Sequence, residues 1–322
     1  MTDPKPLRLR RSRVIRDMVA ETSVAPANLV FPFFVKRGGA AEDVLSPGIR
    51  RIPLPSLADT VGSLYEKGLR SVILFGIPDR KDVLGSEAYA RDGVVQESVR
   101  ALKAHFPDLI VATDVCLCQY TDHGHCRIIR GQRYDEAGTL EALSRIAVSH
   151  AEAGADVVAP SAMADNQVAA VRGALDREGF TETLIMSYSV KYASALYAPF
   201  REAAGSAPGF GDRSAYQMDF RNRREALAEA SLDVEQGADI VMVKPALHYL
   251  DVVSEVKRHI NRPVAAFHVS GEYAMAKLYA RYAGLDERRV ALEAIFSIRR
   301  AGADIIISYF TPQLLDWLKE EP

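Results

Sequence analysis

Cysteine is scarce in this chain, and the few cysteines lie close together in the sequence. Only three of the 322 residues are cysteine, namely Cys116, Cys118 and Cys126. An odd, clustered set is poorly suited to a disulfide framework, whereas it suits a metal site in a reducing compartment. Two other interpretations stay open: three buried free thiols, or a metal site that His123 or His125 completes.

Long apolar runs, nucleotide-binding loops and an excess of one charge are also missing. No run approaches the ~20 apolar residues that a membrane span requires, and residues 1–20 carry charges in place of a signal-peptide core. Neither a Gly-x-Gly-x-x-Gly nor a Walker loop is present. The formal net charge of −2 gives no overall attraction to nucleic acids or membrane surfaces. We therefore expect a cytoplasmic protein without nucleic-acid or membrane partners.

Short apolar runs alternate with helical patterns along most of the chain. The runs are nearly continuous, as expected for parallel strands that are covered on both faces. Eight strands are predicted, at 29–35, 71–76, 109–116, 156–161, 184–191, 239–245, 263–270 and 304–310. Helices are predicted at 57–67, 94–105, 140–153, 167–178, 223–236, 247–259, 290–300 and 312–319. This count favours a closed (β/α)8 TIM barrel, of the α/β class, over an open sheet.

Two segments lie outside this plan. Residues 1–28 mix arginines with aliphatic side chains, which fits a solvated tail, a nucleic-acid arm or an arm that packs on a neighbouring subunit. We favour the arm for subunit contacts, and we predict that residues 29–322 form the catalytic barrel. Residues 193–217 are glycine-rich, too long for an ordinary βα loop and close behind Lys191, so we predict an active-site lid.

Polar side chains are predicted to gather at one end of the barrel. Catalytic groups of (β/α)8 barrels project from the C-terminal ends of the strands. In this chain, those ends carry Asp114, Cys116, Cys118, Ser161, Lys191, Lys244, Ser270 and Tyr309. We therefore expect these residues to line one pocket.

Lys191 and Lys244 end two consecutive apolar strands. Adjacent strands lie ~4.8 Å apart, so the two ammonium groups can reach one pocket. A desolvated lysine beside a second cation loses its proton more readily and becomes the amine nucleophile of Schiff-base chemistry. The alternative is a pair of surface lysines whose stems lie along apolar surface, but the arginine-bearing lid beside both lysines favours a functional pair.

The lid and the cysteine segment add two binding functions. Arg201 and Arg213, followed by Gln217, suit a carboxylate, which arginine grips with two hydrogen bonds. Solvated loop charge is the alternative. Three thiolates leave one coordination position open, as in catalytic zinc sites. His123 and His125 could contact a substrate or have no such role.

Four segments carry the most specific patterns in the chain: Asp114-Val115-Cys116-Leu117-Cys118 and its continuation to Cys126, Ser187-Tyr188-Ser189-Val190-Lys191, Met242-Val243-Lys244-Pro245, and Val269-Ser270-Gly271-Glu272-Tyr273. Together they resemble the delta-aminolevulinic acid dehydratase (porphobilinogen synthase) family, over essentially the whole chain. The resemblance implies a hydro-lyase that condenses two 5-aminolevulinate molecules into porphobilinogen, with loss of two waters, in tetrapyrrole (haem) biosynthesis.

The resemblance also implies a role for each matching residue. Lys244 matches the Schiff-base lysine, and Lys191 matches the lysine that binds the other substrate. The other matches are Arg201, Arg213 and Gln217 for one substrate carboxylate, Ser270 and Tyr309 for the other, and Cys116, Cys118 and Cys126 for zinc. Asp114, at the end of the third predicted strand, is also predicted to bind substrate.

Assembly and a second metal follow from the same resemblance. The family is typically a homo-octamer whose N-terminal arms embrace neighbouring subunits. Glu229 matches a position that is linked in some members to an allosteric magnesium ion between subunits. Other branches have aspartates at the cysteine positions, so this chain looks zinc-dependent. Asn166 stands where the family usually has glycine, and asparagine adopts the left-handed conformation more readily than most residues.

Two rival functions explain fewer of these residues. A class I aldolase on a TIM barrel would use Lys244 for Schiff-base chemistry, but it leaves Lys191 and the cysteines without a role. A structural or storage zinc protein would use the cysteines, but it leaves the lysines and the lid unexplained. Zinc stoichiometry and borohydride trapping with 5-aminolevulinate distinguish the three functions.

Overall fold

Eight parallel strands close into a barrel in the computed structural model, which describes residues 4–44, 48–131 and 133–319. The strand order follows the chain, and the last strand pairs with the first. The strands are β1 (Leu29–Lys36), β2 (Ser71–Ile77), β3 (Ile110–Val115), β4 (Val157–Pro160), β5 (Leu184–Lys191), β6 (Ile240–Lys244), β7 (Val264–His268) and β8 (Ile305–Ser308). The predicted (β/α)8 barrel is confirmed.

Side-chain alternation along the strands fills the barrel and seats the helices outside it. In β1, Phe34 lies in the interior, where its ring centroid is 5.4 Å from that of Phe75 on β2. The neighbouring Phe33 and Val35 belong instead to an outer cluster with Leu57 of the first barrel helix. Successive side chains point to opposite faces of a strand, so both faces of each strand must be apolar. This explains the continuous apolar runs.

The barrel helices lie where the helical patterns predict them. Their bounds are Leu57–Lys67, Val94–His105, Glu136–Glu152, Gln167–Arg177, Glu225–Glu235, Leu250–His259, Glu287–Ala301 and Thr311–Trp317. Two of these helices begin earlier than predicted because an aspartate caps each of them. Asp135 accepts a hydrogen bond from the Gly138 amide at 3.0 Å, and Asp286 accepts one from the Arg288 amide at 2.9 Å.

One substantial helix is missing from the prediction. The strand predicted at 263–270 ends at His268, and Ser270 instead begins the helix Ser270–Ala283. This helix precedes Glu287–Ala301, so two helices lie between β7 and β8. Tyr279 and Tyr282 are exposed on its outer side, at 57% and 93%. Apolar residues on both sides of the helix obscure the amphipathic pattern that marks most surface helices.

The N-terminal arm is described from residue 4 onward, and residues 1–3 lie outside the described residues, as do 320–322 at the other end. The arm forms the 3-10 helix Pro6–Arg10 and the helix Arg13–Met18, where Ser12 accepts a hydrogen bond from the Ile15 amide at 3.3 Å. None of the residues in these two helices is buried. Across the described part of the chain, no helix combines the length and apolarity that crossing a membrane requires.

Candidate active site

The two lysines meet at the C-terminal end of the barrel. Lys191 ends β5 and Lys244 ends β6, and the two residues are paired in the sheet register. They are only 6% and 3% exposed. The alternative of two surface lysines is therefore wrong, because the two side chains are buried next to each other.

Aromatic rings surround the Lys244 ammonium group. Its Nζ lies 4.2 Å from the ring centroid of Phe267, 4.6 Å from that of Phe200 and 4.9 Å from that of Tyr188. Burial lowers the pKa of Lys244 to about 7, and the charge of Lys191 acts in the same direction. An amine with this pKa is available as a nucleophile near neutral pH.

Lys191 lies in a more polar part of the pocket. Its Nζ donates a hydrogen bond of 2.6 Å to the main-chain oxygen of Ser161, at the end of β4. Asp114, on β3, is 8% exposed and accepts a hydrogen bond of 3.1 Å from Gln119. Burial raises the pKa of Asp114, although the positive charge of Lys191 opposes this change. Asp114 and Lys191 thus place opposite charges on neighbouring parts of the pocket.

The three cysteines come together as a buried cluster. Their sulfur atoms lie within 4.8 Å of one another, and those of Cys116 and Cys118 are 3.5 Å apart. Hydrogen bonds from Cys116 and Cys118 hold the pKa of the Cys126 thiol well below its usual range, with Arg213 acting in the same direction. Thiolate is the form that binds metals. The donor set therefore fits a soft or borderline metal ion.

The two histidines of the cysteine loop take other positions. Both ring nitrogens of His125 lie near groups of the lid, with Nδ1 3.1 Å from the Tyr216 hydroxyl and Nε2 3.0 Å from the Phe210 oxygen. His123 Nδ1 accepts a hydrogen bond of 3.1 Å from the His125 amide. The group of potential metal ligands found among the described residues consists of the cysteines alone. Completion of the site by His125 is therefore not supported.

The segment 193–217 covers the end of the barrel. Its short helix Ala198–Ala203 places Phe200 over the interior, 5.2 Å from the ring centroid of Phe34 and 5.0 Å from that of Phe75. Arg51 holds the end of this helix from outside, because its Nε donates to the Ala203 oxygen at 2.9 Å. These contacts place part of the segment over the barrel interior, and its role as a lid stays a prediction.

The polar residues predicted on the lid face inward. Arg213 is 4% exposed, and its Nη2 donates to the Gly124 oxygen at 2.9 Å. Burial, followed by the charge of Arg213, lowers the pKa of Arg201. The buried Nε atoms of both arginines and the amide of Gln217 have no hydrogen-bond partner among the described residues. Unpaired buried polar groups of this kind are destabilising by about 1–3 kcal/mol each, which favours a polar ligand here.

The two residues predicted to hold the other carboxylate differ in their contacts. The buried hydroxyl of Tyr309 has no partner in the described part of the chain. The Ser270 hydroxyl, in contrast, accepts a hydrogen bond of 3.0 Å from the Phe200 amide of the lid. Ser270 thus joins the lid to the helix Ser270–Ala283, and Tyr309 offers the free hydroxyl.

Tyr188 is a member of the pocket that the sequence reasoning missed. Its ring centroid lies 5.3 Å from Lys191 Nζ and 4.9 Å from Lys244 Nζ, and its buried hydroxyl has no partner among the described residues. Residues three apart on a regular strand face opposite sides. However, the register between β5 and β6 shifts between Val241 and Val243, and this bulge lets Tyr188 and Lys191 face the same interior.

Glu229 lies on the helix Glu225–Glu235, in a separate acidic cavity of about 440 Å³. Burial raises the pKa of Glu229, and the nearby carboxylates of Asp233, Glu225 and Asp165 act in the same direction. The lining of this cavity includes Gln217, so the cavity adjoins the lid.

Asn166 precedes the helix Gln167–Arg177 with a φ of 62°. This is the left-handed conformation, which asparagine adopts more readily than most residues. Its side-chain oxygen accepts a hydrogen bond of 3.3 Å from Gln236.

Comparison with known proteins gives one consistent result. Residues 3–317 match the family model of delta-aminolevulinic acid dehydratase. A curated protein of that name from Methanothermobacter thermautotrophicus is 53% identical, over 96% of this chain and 95% of the relative. Another, from Halalkalibacterium halodurans, is 49% identical, over 98% of this chain and 96% of the relative. A Toxoplasma gondii porphobilinogen synthase, solved with its product porphobilinogen, superposes with a TM-score of 0.97 at 38% identity, covering 100% of this chain and 93% of that one.

Proposed function

Because the chain belongs to the delta-aminolevulinic acid dehydratase family, it is a hydro-lyase that condenses two 5-aminolevulinate molecules to porphobilinogen, and we propose that Lys244 forms the imine in this reaction. The observation that carries this assignment is the burial of Lys244 among aromatic rings beside Lys191. The aldolase alternative is not favoured, since the family accounts for the whole chain.

The proposed first step uses the free amine of Lys244. The amine attacks the ketone carbon of one substrate, a C=N bond replaces the C=O bond, and the carbonyl oxygen leaves as one of the two water molecules. With a pKa of about 7, about half of the Lys244 side chains are neutral at pH 7. A solvated lysine with a pKa near ~10.4 would be almost wholly protonated there.

The second substrate is proposed to lie on the side of Lys191 and Asp114. Lys191 uses one of its three N–H groups on the Ser161 oxygen, and the others are available to a ligand. The Asp114 carboxyl group lies beside it and suits the ammonium group that 5-aminolevulinate carries. This arrangement holds the two substrates close together, which lowers the entropic part of the barrier.

The substrate carboxylates are proposed to bind at two separate places. Arg201, Arg213 and Gln217 would hold one of them, and their unpaired buried atoms support this assignment. Tyr309 and Ser270 would hold the other. Because three of these residues belong to the lid segment, substrate binding would also keep the lid closed.

Zinc is the metal that we propose for the three cysteines. Thiolate donors suit zinc, and three protein ligands leave a position for water or substrate. When bound, a zinc ion in such a site acts as a Lewis acid toward an oxygen ligand. The chain contributes the Cys126 thiolate and the nearby positive charge of Arg213, which offsets the negative charge of the cluster.

Assembly and regulation are proposed to depend on the arm and on Glu229. The arm, residues 1–28, exposes Leu7, Leu9, Val14 and Met18, which would be buried against a neighbouring subunit of a homo-octamer. Glu229 and the carboxylates around its cavity would take an allosteric magnesium ion, a hard cation that prefers oxygen ligands. A cytoplasmic location is supported by the three free cysteines, which a reducing compartment preserves.

Borohydride trapping tests the central assignment. Reduction in the presence of 5-aminolevulinate, followed by peptide mass mapping, is expected to place the adduct on Lys244. Lys244→Met should abolish both the adduct and product formation, whereas Lys257→Met, at an exposed lysine paired with Asp304, should change neither. An active Lys244→Met enzyme would refute the assignment.

A further inference from the structure

The carboxylate of Glu272 joins the loops that follow two strands of the candidate active site, β6 and β7. Glu272 is the third residue of the helix Ser270–Ala283, and its side chain is fully buried. Its Oε1 accepts hydrogen bonds from the amides of Leu247 at 2.7 Å and His248 at 3.2 Å. Its Oε2 accepts one from the Val269 amide at 2.9 Å and a longer one from the Ala246 amide at 3.4 Å.

These donors belong to two different loops. Ala246, Leu247 and His248 directly follow Lys244 and Pro245 at the end of β6, whereas Val269 follows the end of β7 and precedes Ser270. One carboxylate oxygen therefore serves the loop behind Lys244, and the other mainly serves the turn that presents Ser270. A side chain that accepts hydrogen bonds with only one oxygen cannot satisfy both loops at once.

We infer that Glu272 is a positioning residue that fixes the distance between the Lys244 end of β6 and the Ser270 turn. The inference rests on the proposed function, in which Lys244 forms the imine and Ser270 helps to hold a substrate carboxylate. Both groups would then act on one substrate molecule, Lys244 from the end of β6 and Ser270 from the turn after β7. Fixing their separation keeps the ketone carbon in reach of the Lys244 amine, and a misplacement of about 1 Å costs about 10²-fold in rate.

The site suits a carboxylate anion because the hydrogen bonds that the two oxygens accept come from main-chain N–H groups. Four main-chain N–H groups point at the carboxylate, and His248 Nδ1 lies 3.6 Å from Oε1. Glutamine has nearly the same volume but presents an NH2 group to one of the two sets of amides. Glu272→Gln therefore detaches one loop while it preserves the packing.

The test compares Glu272→Gln and Glu272→Asp with the control Glu293→Gln. Glu293 is an exposed carboxylate that lines a cavity together with Glu272. For each enzyme we would measure kcat, KM, the yield of borohydride-trapped imine on Lys244 and the melting temperature. Glu272→Gln is expected to reduce kcat/KM by about 10²-fold, through a lower kcat and a higher KM together. Glu272→Asp is expected to recover part of this loss, and the control should match the wild-type enzyme.

A double-mutant cycle with Ser270→Ala separates positioning from a merely structural role. If Glu272 positions Ser270 relative to Lys244, the losses of Glu272→Gln and Ser270→Ala in kcat/KM are strongly non-additive. Additive losses, or a lower melting temperature with kcat unchanged per trapped active site, would overturn the inference. Glu272→Asp supplies the same comparison if Glu272→Gln does not fold.

The two proposals fail in different ways. A wild-type enzyme without a trappable imine on Lys244 would overturn the proposed function, and with it the role of Glu272. A normal wild-type imine, with Glu272 variants that react like Glu293→Gln, would overturn the role of Glu272 alone.

Discussion

At the residue scale, we predict that the protonation state of Lys244, the proposed imine-forming residue, sets how activity depends on pH. Its pKa is lowered to about 7, first by burial and then by Lys191. As the pH falls below about 7, Lys244 gains a proton and loses its nucleophilic lone pair. We therefore expect imine formation to decline about tenfold for each further unit of pH. The yield of borohydride-trapped Lys244, measured at a series of pH values from about 5 to about 10, reports this dependence.

The same measurement on Lys191→Met checks the cause. Removal of the neighbouring positive charge should raise the pKa of Lys244, so the midpoint of trapping should move to higher pH. Lys257→Met, which changes a surface lysine in the same way, should leave the midpoint in place. A wild-type midpoint near that of an ordinary lysine, ~10.4, would contradict the buried environment.

A second residue-scale prediction concerns the cysteine cluster. Cys118→Ala should remove one proposed metal ligand and lower activity by at least about 10²-fold, since loss of a residue that only hydrogen-bonds to a metal ligand already reaches that size. The barrel core does not depend on the metal, so the circular dichroism spectrum and melting temperature should change little. Metal content by mass spectrometry should fall in parallel with activity. An unfolded variant would instead indicate a structural site.

The sequence predicts the polar members of the site better than the apolar ones. Lys191, Lys244 and the cysteines stand out because charged and thiol groups at strand ends are unusual. Tyr188 and Phe267 do not stand out, since aromatic residues in a strand usually indicate only core packing. The contact of Tyr188 with the lysines depends on the bulge in β5, which no local pattern reveals.

At the element scale, the strands are the most predictable parts and the lid the least. Strand β5 has the predicted bounds because its apolar run is bounded by polar residues at both ends. The lid folds through contacts distant in sequence, such as those of Arg51 with Glu202 and Ala203 at the end of the helix Ala198–Ala203. A local pattern predicts a long loop there, but it cannot predict what that loop packs against.

The Arg51 contact gives a test of the lid. Arg51 donates hydrogen bonds to the Ala203 oxygen at 2.9 Å and to the Glu202 oxygen at 2.6 Å. We expect Arg51→Ala to loosen the lid by about 1 kcal/mol, which corresponds to about a fivefold higher KM. Limited proteolysis within 204–212 should become faster. Arg50→Ala, which removes only an exposed ion pair with Asp43, should leave KM and proteolysis unchanged; equal effects of both variants would contradict the role of Arg51.

At the scale of the whole molecule, the barrel accounts for the active site but not for the arm. The barrel brings residues from β3, β5, β6 and β8 to one end, where the lid covers them. The arm contributes none of the proposed catalytic groups, and several of its aliphatic side chains are left in water. Leu7 is 71% exposed, and Val14 and Met18 are each 76% exposed. A segment of this kind gains little from folding alone, because ordering its backbone is opposed by conformational entropy.

Removal of residues 1–20 should therefore reduce the mass of the assembly and the activity together. Leu7→Ser combined with Val14→Ser should act in the same direction, since this variant keeps the charge of the arm but removes apolar surface. Arg11→Gln, at an exposed position between the two arm helices, is the matched control and should assemble normally. Light scattering gives the mass, and product formation per subunit gives the activity. An unchanged mass with full activity after the deletion would mean that the arm is a solvated tail, and the active site would then be complete within one barrel.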